Sequence, residues 1–193
     1  MSAQSPPKGT LRIHDRVSSL VEGHLILVLK GTPPLVRSYL SFEVRGDGDW
    51  QARLESSSWI LVFDHPIFRP GHTTHRELPL MDELGTSFQL MLYVADHTPV
   101  REAHLTLHGV SPGRVRLELR GRTDMRWSRE YDRNLEIELL AELSLERVLA
   151  LSAVDEPSGR EILAAARLPS GAGDFQRQPA NWGVQFGPVL TEP

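Results

Sequence analysis

Residues 114–122 read RVRLELRGR, and residues 135–146 read LEIELLAELSLE. In the first stretch every even position is polar, and most of these positions carry arginine. In the second stretch glutamate takes the same even positions, with leucine and serine as exceptions. Alternation with a period of two residues is typical of a β-strand that has one buried and one exposed face. The two stretches therefore predict neighbouring strands of an antiparallel sheet.

The exceptions in the two patterns predict how these strands are paired. Only pairings between even positions keep the apolar rows on one face, because a slip of one residue inverts every side chain. With Arg122 opposite Glu136, the two exceptions Glu118 and Leu140 face each other. A shift of two residues in either direction sets Glu118 opposite a glutamate, which is destabilising. The favoured register gives three ion pairs, Arg122 with Glu136, Arg120 with Glu138 and Arg116 with Glu142, so the arginines are expected to find partners inside the protein.

A third strand is predicted before these two. Residues 102–108 again place polar side chains on even positions, including His104 and His108. The segment Ser111-Pro112-Gly113 supplies the turn into the arginine strand. An even offset puts His108 opposite Arg114 or Arg116, and the pattern does not choose between them. The exposed face of this meander would carry three columns, of His and Thr, of Arg, and of Glu.

Composition excludes several classes of protein. The chain has 193 residues, a net charge of −4 and no cysteine. The lack of cysteine removes disulfides, thiolate catalysis and cysteine-based metal sites. The net charge gives no long-range attraction to a polyanion, so we expect no nucleic-acid partner. The polar N-terminus and the short apolar runs predict a cytoplasmic protein without membrane insertion.

The rest of the chain predicts further short strands separated by Gly- and Pro-rich turns. This spacing favours an all-β fold, an antiparallel β-sandwich or jelly-roll-like structure of about eight to ten strands with at most one short C-terminal helix. Residues 156–159 are predicted to form a turn, and residues 160–168 fit either a helix or a strand. The expected organisation is a tail at 1–10, one domain at 11–168 and a Gly/Pro-rich segment at 169–193, with a possible edge strand at 182–186.

Residues 64–86 form the longest stretch without a regular pattern, and they contain a cluster of histidines. His65, His72 and His75 fall within eleven residues of one another. Three imidazoles can hold zinc or another divalent ion with a coordination position left open to activate water. Spacing on a loop does not fix ligand geometry, however, so we expect no metal and no cofactor. A metal-dependent enzyme built on these histidines remains the alternative hypothesis.

The segment 123–134 is predicted to be a loop between the two charged strands. It concentrates residue types that dominate the energetics of protein–protein interfaces, and loops on a rigid sandwich often bind partners. The candidate partner-binding residues are Met125, Arg126, Trp127, Arg129 and Tyr131.

The sequence therefore predicts a non-catalytic module that binds another protein, as a subunit, an adaptor or an immunity-type accessory protein. This hypothesis depends on the loop 123–134 and on the lack of any nucleophile elbow or phosphate-binding glycine motif. A further alternative is a carbohydrate-binding sandwich that uses Trp50, Trp59 or Trp182. The oligomeric state is left open.

Overall fold

A computed structural model of the chain shows the arrangement of its strands. It describes residues 8–47, 52–56, 60–61, 70–77, 90–94, 96–111, 113–127, 130–166, 175–178 and 183–188. No helix within these ranges is long and apolar enough to cross a membrane.

The described residues form twelve strands and one helix. In chain order these are β1 (Lys8–Ile13), β2 (Arg16–Thr32), β3 (Leu35–Gly46), β4 (Arg53–Ser56), β5 (Ile60–Leu61), β6 (Thr73–Glu77), β7 (Leu90–Val94), β8 (Asp96–Ser111), β9 (Arg114–Trp127), β10 (Glu130–Ala150), α1 (Glu156–Ala165), β11 (Phe175–Gln178) and β12 (Val184–Pro188).

The predicted all-β, sandwich-like fold is confirmed, and the sheet also closes on itself. All twelve described strands belong to one sheet: ten follow the order β1-β2-β3-β4-β7-β8-β9-β10-β12-β11, while β5 pairs with β3 and β6 with β8. Strand β10 pairs with β9 along one edge and with both β1 and β2 along the other. The sheet from β1 to β10 therefore closes on itself at β10 and encloses the main core.

The N-terminal strand explains how the sheet closes. Strand β1 runs antiparallel to β10, and β2 folds back antiparallel to β1, so β2 lies parallel to β10. Gly9 is required for the close approach, because a Cβ atom there would overlap the carbonyl oxygen of Leu140. Residues 8–10 of the predicted N-terminal tail are thus paired in β1, and residues 1–7 lie outside the described ranges.

The register predicted for the two charged strands is confirmed. Arg122 lies opposite Glu136, and Glu118 lies opposite Leu140. On the other side of β9, His108 lies opposite Arg116, one of the two predicted alternatives. The alternation of the sequence places the odd-numbered apolar residues of these strands between 103 and 145 inside, where Leu117, Leu119 and their neighbours are buried.

A bulge in β10 accounts for the loss of alternation after the glutamate column. Residues of the main core occupy odd positions up to Leu145 and even positions at Val148 and Ala150, and the pairing with β2 shifts between Leu145 and Arg147. A bulge adds one residue to a strand and so moves the inward row to the other parity. Strand β10 therefore keeps one face in the main core from Leu135 to Ala150.

Helix α1 begins within the segment for which a turn was predicted. Asp155 is the N-cap, its side chain accepts a hydrogen bond from the backbone N–H of Ser158 at 2.9 Å, and Oγ of Ser158 accepts one from the N–H of Asp155 at 3.2 Å. This reciprocal capping box satisfies two backbone donors and starts the helix at Glu156. The ambiguity over 160–168 is resolved as helix up to Ala165.

Two further elements differ from the expectation. The C-terminal strand was predicted as an edge at 182–186, but β12 lies between β10 and β11. The stretch 64–86 was predicted to be irregular, but β6 lies within it and pairs with β8. Both differences arise because strand pairing is decided by partners distant in the sequence.

Candidate functional site

The segment 123–134 is a β-hairpin rather than a loop. Strands β9 and β10 continue into it, with Met125 opposite Asp132 and Trp127 opposite Glu130. Met125 is 1% exposed and belongs to the core, so it offers no surface to a partner. The other predicted binding residues fall outside what is described, as whole residues or as side chains: Arg126, Trp127, Arg129 and Tyr131.

The base of this hairpin is held by Asp124. Its carboxylate accepts a hydrogen bond from the backbone N–H of Asn134 at 2.8 Å and pairs with Arg101 of β8 at 2.7 Å. The hydrogen bond from Asn134, supported by the Arg101 guanidinium, holds the pKa of Asp124 below its usual range. Asn134 has φ 60°, next to the bulge between Asp132 and Leu135. The carboxylate therefore ties three strands together where the hairpin leaves the sheet.

Below the hairpin, five neighbouring strands present a continuous outer surface, which we call the charged face. It is formed by three outward residues from each strand in the order β6, β8, β9, β10 and β1. Its three rows across the strands are Glu77, His104, Arg120, Glu138 and Arg12; His75, Thr106, Glu118, Leu140 and Thr10; and Thr73, His108, Arg116, Glu142 and Lys8.

The middle row of the charged face differs from the two outer rows. Each outer row carries arginine on β9 and glutamate on β10, whereas the middle row carries Glu118 and Leu140 there. Leu140 is 48% exposed, and the β10 residues at the same position in the two outer rows are the glutamates Glu138 and Glu142. The charged face thus has an apolar centre with charged residues on both sides.

Two of the ion pairs that the register predicted, Arg120 with Glu138 and Arg122 with Glu136, are present but loose, at 3.8 Å each. Glu138 pairs with Arg12 at 2.5 Å, while Arg120 stays 3.8 Å from the same carboxylate. Arg120 is 81% exposed, as expected for a cation without a tight partner. The predicted pair of Arg120 with Glu138 is therefore present but loose, because Arg12 of β1 binds the same carboxylate from the other side.

At the other end of the β10 glutamate column, two arginines of β9 compete for one carboxylate. Glu142 is hydrogen-bonded to Arg114, which lies diagonally from it, rather than to Arg116 directly opposite. Within the described residues Arg116 has no carboxylate partner within ion-pair distance. Two arginines of β9, Arg116 and Arg120, therefore extend from the sheet without a close counter-charge.

A trough of about 380 Å³ opens at the end of the charged face nearest the hairpin. Its walls carry the side chains of Glu102, His104, Arg120, Arg122, Glu136 and Glu138. Arg122 lies 3.7 Å from Glu102 and 3.8 Å from Glu136, beyond hydrogen-bonding distance in both cases. The trough carries three glutamates, two arginines and one histidine, and Arg122 is held loosely.

A bulge in β8 makes this trough. The pairing with β9 shifts between Arg101 and His104, and Glu102 adopts φ 49°. Both Arg101 and Glu102 consequently point outward, and Glu102 forms a wall of the trough. Opposite the bulge, Gly121 leaves room on the inner side, since a Cβ atom there would lie 2.7 Å from Cγ1 of Val100.

The histidines of the sequence-based metal hypothesis are not brought together in the described residues. His75 lies on β6 and hydrogen-bonds Thr106 at 3.0 Å, and His72 precedes the same strand. His65 lies outside the described ranges. Within those ranges no group of three or more histidine or carboxylate side chains is arranged to hold a metal ion.

A second polar network lies on the outer face of β3, β4 and β7. Nε of Arg53 is 3.1 Å from Glu43, and the guanidinium stacks over the Tyr93 ring at 4.8 Å. The Tyr93 hydroxyl donates a hydrogen bond to Glu55, and this bond raises the pKa of Tyr93. Arg53 also bonds Glu55. These groups satisfy one another, so the network joins strands rather than presenting free charges.

Sequence reasoning missed Arg12, which decides the pairing of Glu138. A signal was present, because residues 8–13 alternate polar and apolar side chains in the same way as the charged strands. Glu102 was placed on a regular strand, and nothing in the sequence indicated its bulge. The three tryptophans of the carbohydrate hypothesis, Trp50, Trp59 and Trp182, lie outside the described ranges.

Comparisons of the chain with profiles of known protein families, with curated proteins and with solved structures find no match.

Proposed function

We propose that the protein is a non-catalytic interaction module, acting as a subunit, an adaptor or an immunity-type accessory protein, and that it binds its protein partner through the charged face. The observation that supports this most directly is the exposure of Leu140, 48%, in the middle row of that face. Protein interfaces have an apolar centre surrounded by a polar, charged rim. Leu140 with its flanking charged rows has this composition.

The arginines of β9 support the same proposal. Arginine is enriched at interface hot spots because its planar guanidinium makes several directed hydrogen bonds. Arg120 is exposed and only loosely paired, and Arg116 has no close carboxylate among the described residues. A partner can therefore engage both side chains without breaking a tight pair inside this protein.

The hairpin extends the same two strands beyond the charged face. Its base is fixed by Asp124, and the sequence-predicted residues Arg126, Trp127 and Tyr131 belong to its two strands, while Arg129 lies outside the described residues. We propose that these four residues contribute to the same interface, because β9 and β10 continue from the charged face, past the bulge between Asp132 and Leu135, to Trp127 and Glu130.

Site-specific photo-crosslinking tests the proposal. A photoreactive amino acid at Thr10, directly opposite Leu140, is expected to capture the partner in the native host. The control position is Val154, which is 93% exposed and lies beside the N-cap of α1. The captured protein is identified, purified and titrated against the wild type and Leu140→Arg, which is expected to weaken binding at least about tenfold. Equal capture at both positions, or unchanged affinity of Leu140→Arg, would refute the proposal.

A further inference from the structure

We propose that the charged face binds an extended acidic segment of the partner, lying along β9, with carboxylates opposite Arg116, Arg120 and Arg122 and an apolar residue opposite Glu118. This inference rests on the proposed function and specifies the partner's chemistry. It follows from the pairing of the β10 glutamates, which Arg12 and Arg114 hold more tightly than Arg116 and Arg120 do.

Three arginines of β9, Arg116, Arg120 and Arg122, have no tight partner on β10. Glu138 is bonded to Arg12 rather than to Arg120, and Glu142 is bonded to Arg114 rather than to Arg116. The nearest carboxylates to Arg122 are more than 3.5 Å away. The strand β9 therefore presents positive charge outward although the chain as a whole is acidic.

The spacing of the arginines along β9 matches that of side chains on an extended peptide. Side chains two residues apart on one strand face lie about 7 Å apart, and those four apart lie about 13 Å apart. An extended segment has the same repeat, so carboxylates on alternate residues can lie over Arg120 and Arg122, and a third over Arg116. A helical segment places its same-face residues only about 4.5–6 Å apart along its axis, so it falls progressively short of the arginine spacing from Arg122 to Arg116.

One acidic residue, Glu118, interrupts the row of arginines along β9. Glu118 lies between Arg116 and Arg120 on the same face, and Leu140 lies beside it on β10. A carboxylate at this position would meet a like charge, whereas an apolar side chain would contact Leu140. The facing residues of the partner are therefore acid, apolar, acid and acid, in the direction from Arg116 to Arg122.

The position of Glu118 also favours a peptide over a nucleic acid. A phosphate backbone has charges at every repeat and cannot leave the position over Glu118 empty. Glu102 and Glu136 also line the end of the column that contains Arg122.

The test uses a synthetic peptide, Glu-Thr-Leu-Thr-Glu-Thr-Glu, and a control of the same composition, Leu-Thr-Glu-Thr-Glu-Thr-Glu, which places a glutamate over Glu118. Both are labelled with a fluorophore and titrated with the full chain at low ionic strength. The first is expected to bind several times more tightly than the second. Exposed ion pairs contribute little individually, so replacing Arg116, Arg120 and Arg122 by glutamine should weaken binding about 3- to 100-fold.

Two single variants test the competition itself. Arg12→Gln frees Glu138 to pair with Arg120, so it should weaken binding of the first peptide about 1.5- to 5-fold more than Lys8→Gln, which removes the same charge from the same strand. Glu118→Gln removes the like charge from the column and should tighten binding of the control peptide. Unfolding curves of each variant confirm that the fold is retained.

Three outcomes would overturn the inference. These are equal binding of the two peptides, equal effects of Arg12→Gln and Lys8→Gln, and tighter binding of single-stranded DNA or inorganic polyphosphate than of the peptide with the same dependence on the arginines. The last result would show that the arginines of β9 bind polyanions in preference to an acidic peptide. Capture of a partner at Thr10 with no peptide binding would leave the proposed function intact and reject only the acidic segment.

Discussion

Replacing Gly121 by alanine tests the close approach between β9 and the bulge of β8, which shapes the trough. A Cβ atom at this position would lie 2.7 Å from Cγ1 of Val100 and 3.2 Å from Cβ of Ala103. Both neighbours are buried, so neither can move into solvent. The bulge would have to shift to accept the methyl group.

The sign of the effect distinguishes this contact from an ordinary strand position. At an open position Gly→Ala stabilises by about 0.5–1 kcal/mol, because alanine loses less conformational entropy on folding. Overpacking a buried site costs about 1–3 kcal/mol. The steric term is the larger, and we expect Gly121→Ala to lower the free energy of unfolding by about 1 kcal/mol.

Urea unfolding measures this change as a lower midpoint at an unchanged m value. Val100→Ala provides the matched control because it removes the obstructing Cγ1 atom. In that background Gly121→Ala should cost less, because only the 3.2 Å contacts to Cβ of Ala103 and to the carbonyl oxygen of Arg101 remain, which gives a coupling energy of about 0.5–1 kcal/mol in the double-mutant cycle. If Gly121→Ala stabilises the wild type, or if Val100→Ala leaves its effect unchanged, the close approach is absent.

Three further outcomes are expected. The pKa of Asp124 is lowered in the folded state by the Asn134 N–H and Arg101, so its stabilising contribution is present above the unfolded-state value near 3.9 and is lost as the pH falls below it. Asp124→Asn should therefore reduce the melting temperature more at pH 7 than at pH 3, and a loss of equal size at both values would contradict this. Glu102→Gly should stabilise the protein by about 0.5 kcal/mol in urea unfolding, because φ 49° is unfavourable for a residue with a Cβ atom; a destabilised variant would show that its trough contacts outweigh the strain. Phe186→Ala should lose about 3–5 kcal/mol because the ring is fully buried, whereas Phe186→Leu should lose less than half of that, and similar losses would indicate a loosely packed core.

The register of β9 and β10 was predictable because two local rules agree. The period of two residues fixes which face is buried, and the charge pattern excludes the neighbouring even registers, so Glu118 is left opposite Leu140. Both rules need only residues that are close in the sequence.

The helix start at Asp155 and the hairpin beyond Thr123 were missed for different reasons. The segment 156–159 contains residues that favour both turns and first helical turns, and the capping box that decides between them uses Ser158 in place of the more usual Glu. The hairpin carries a bulge at its base, where Asn134 takes a left-handed conformation. A bulge breaks the alternation on which strand prediction depends.

The sequence by itself determined the all-β class, the inward and outward faces of the charged strands and their mutual register, since each follows from side-chain period and from charges on consecutive strands. Only the tertiary structure decided which glutamate each arginine can use. Strand β1 is more than a hundred residues from β10 in the chain, and closure of the sheet brings Arg12 to Glu138. A carboxylate between two cationic strands pairs with the guanidinium that reaches it best, and that geometry, which leaves Arg120 exposed, exists only once the sheet has closed.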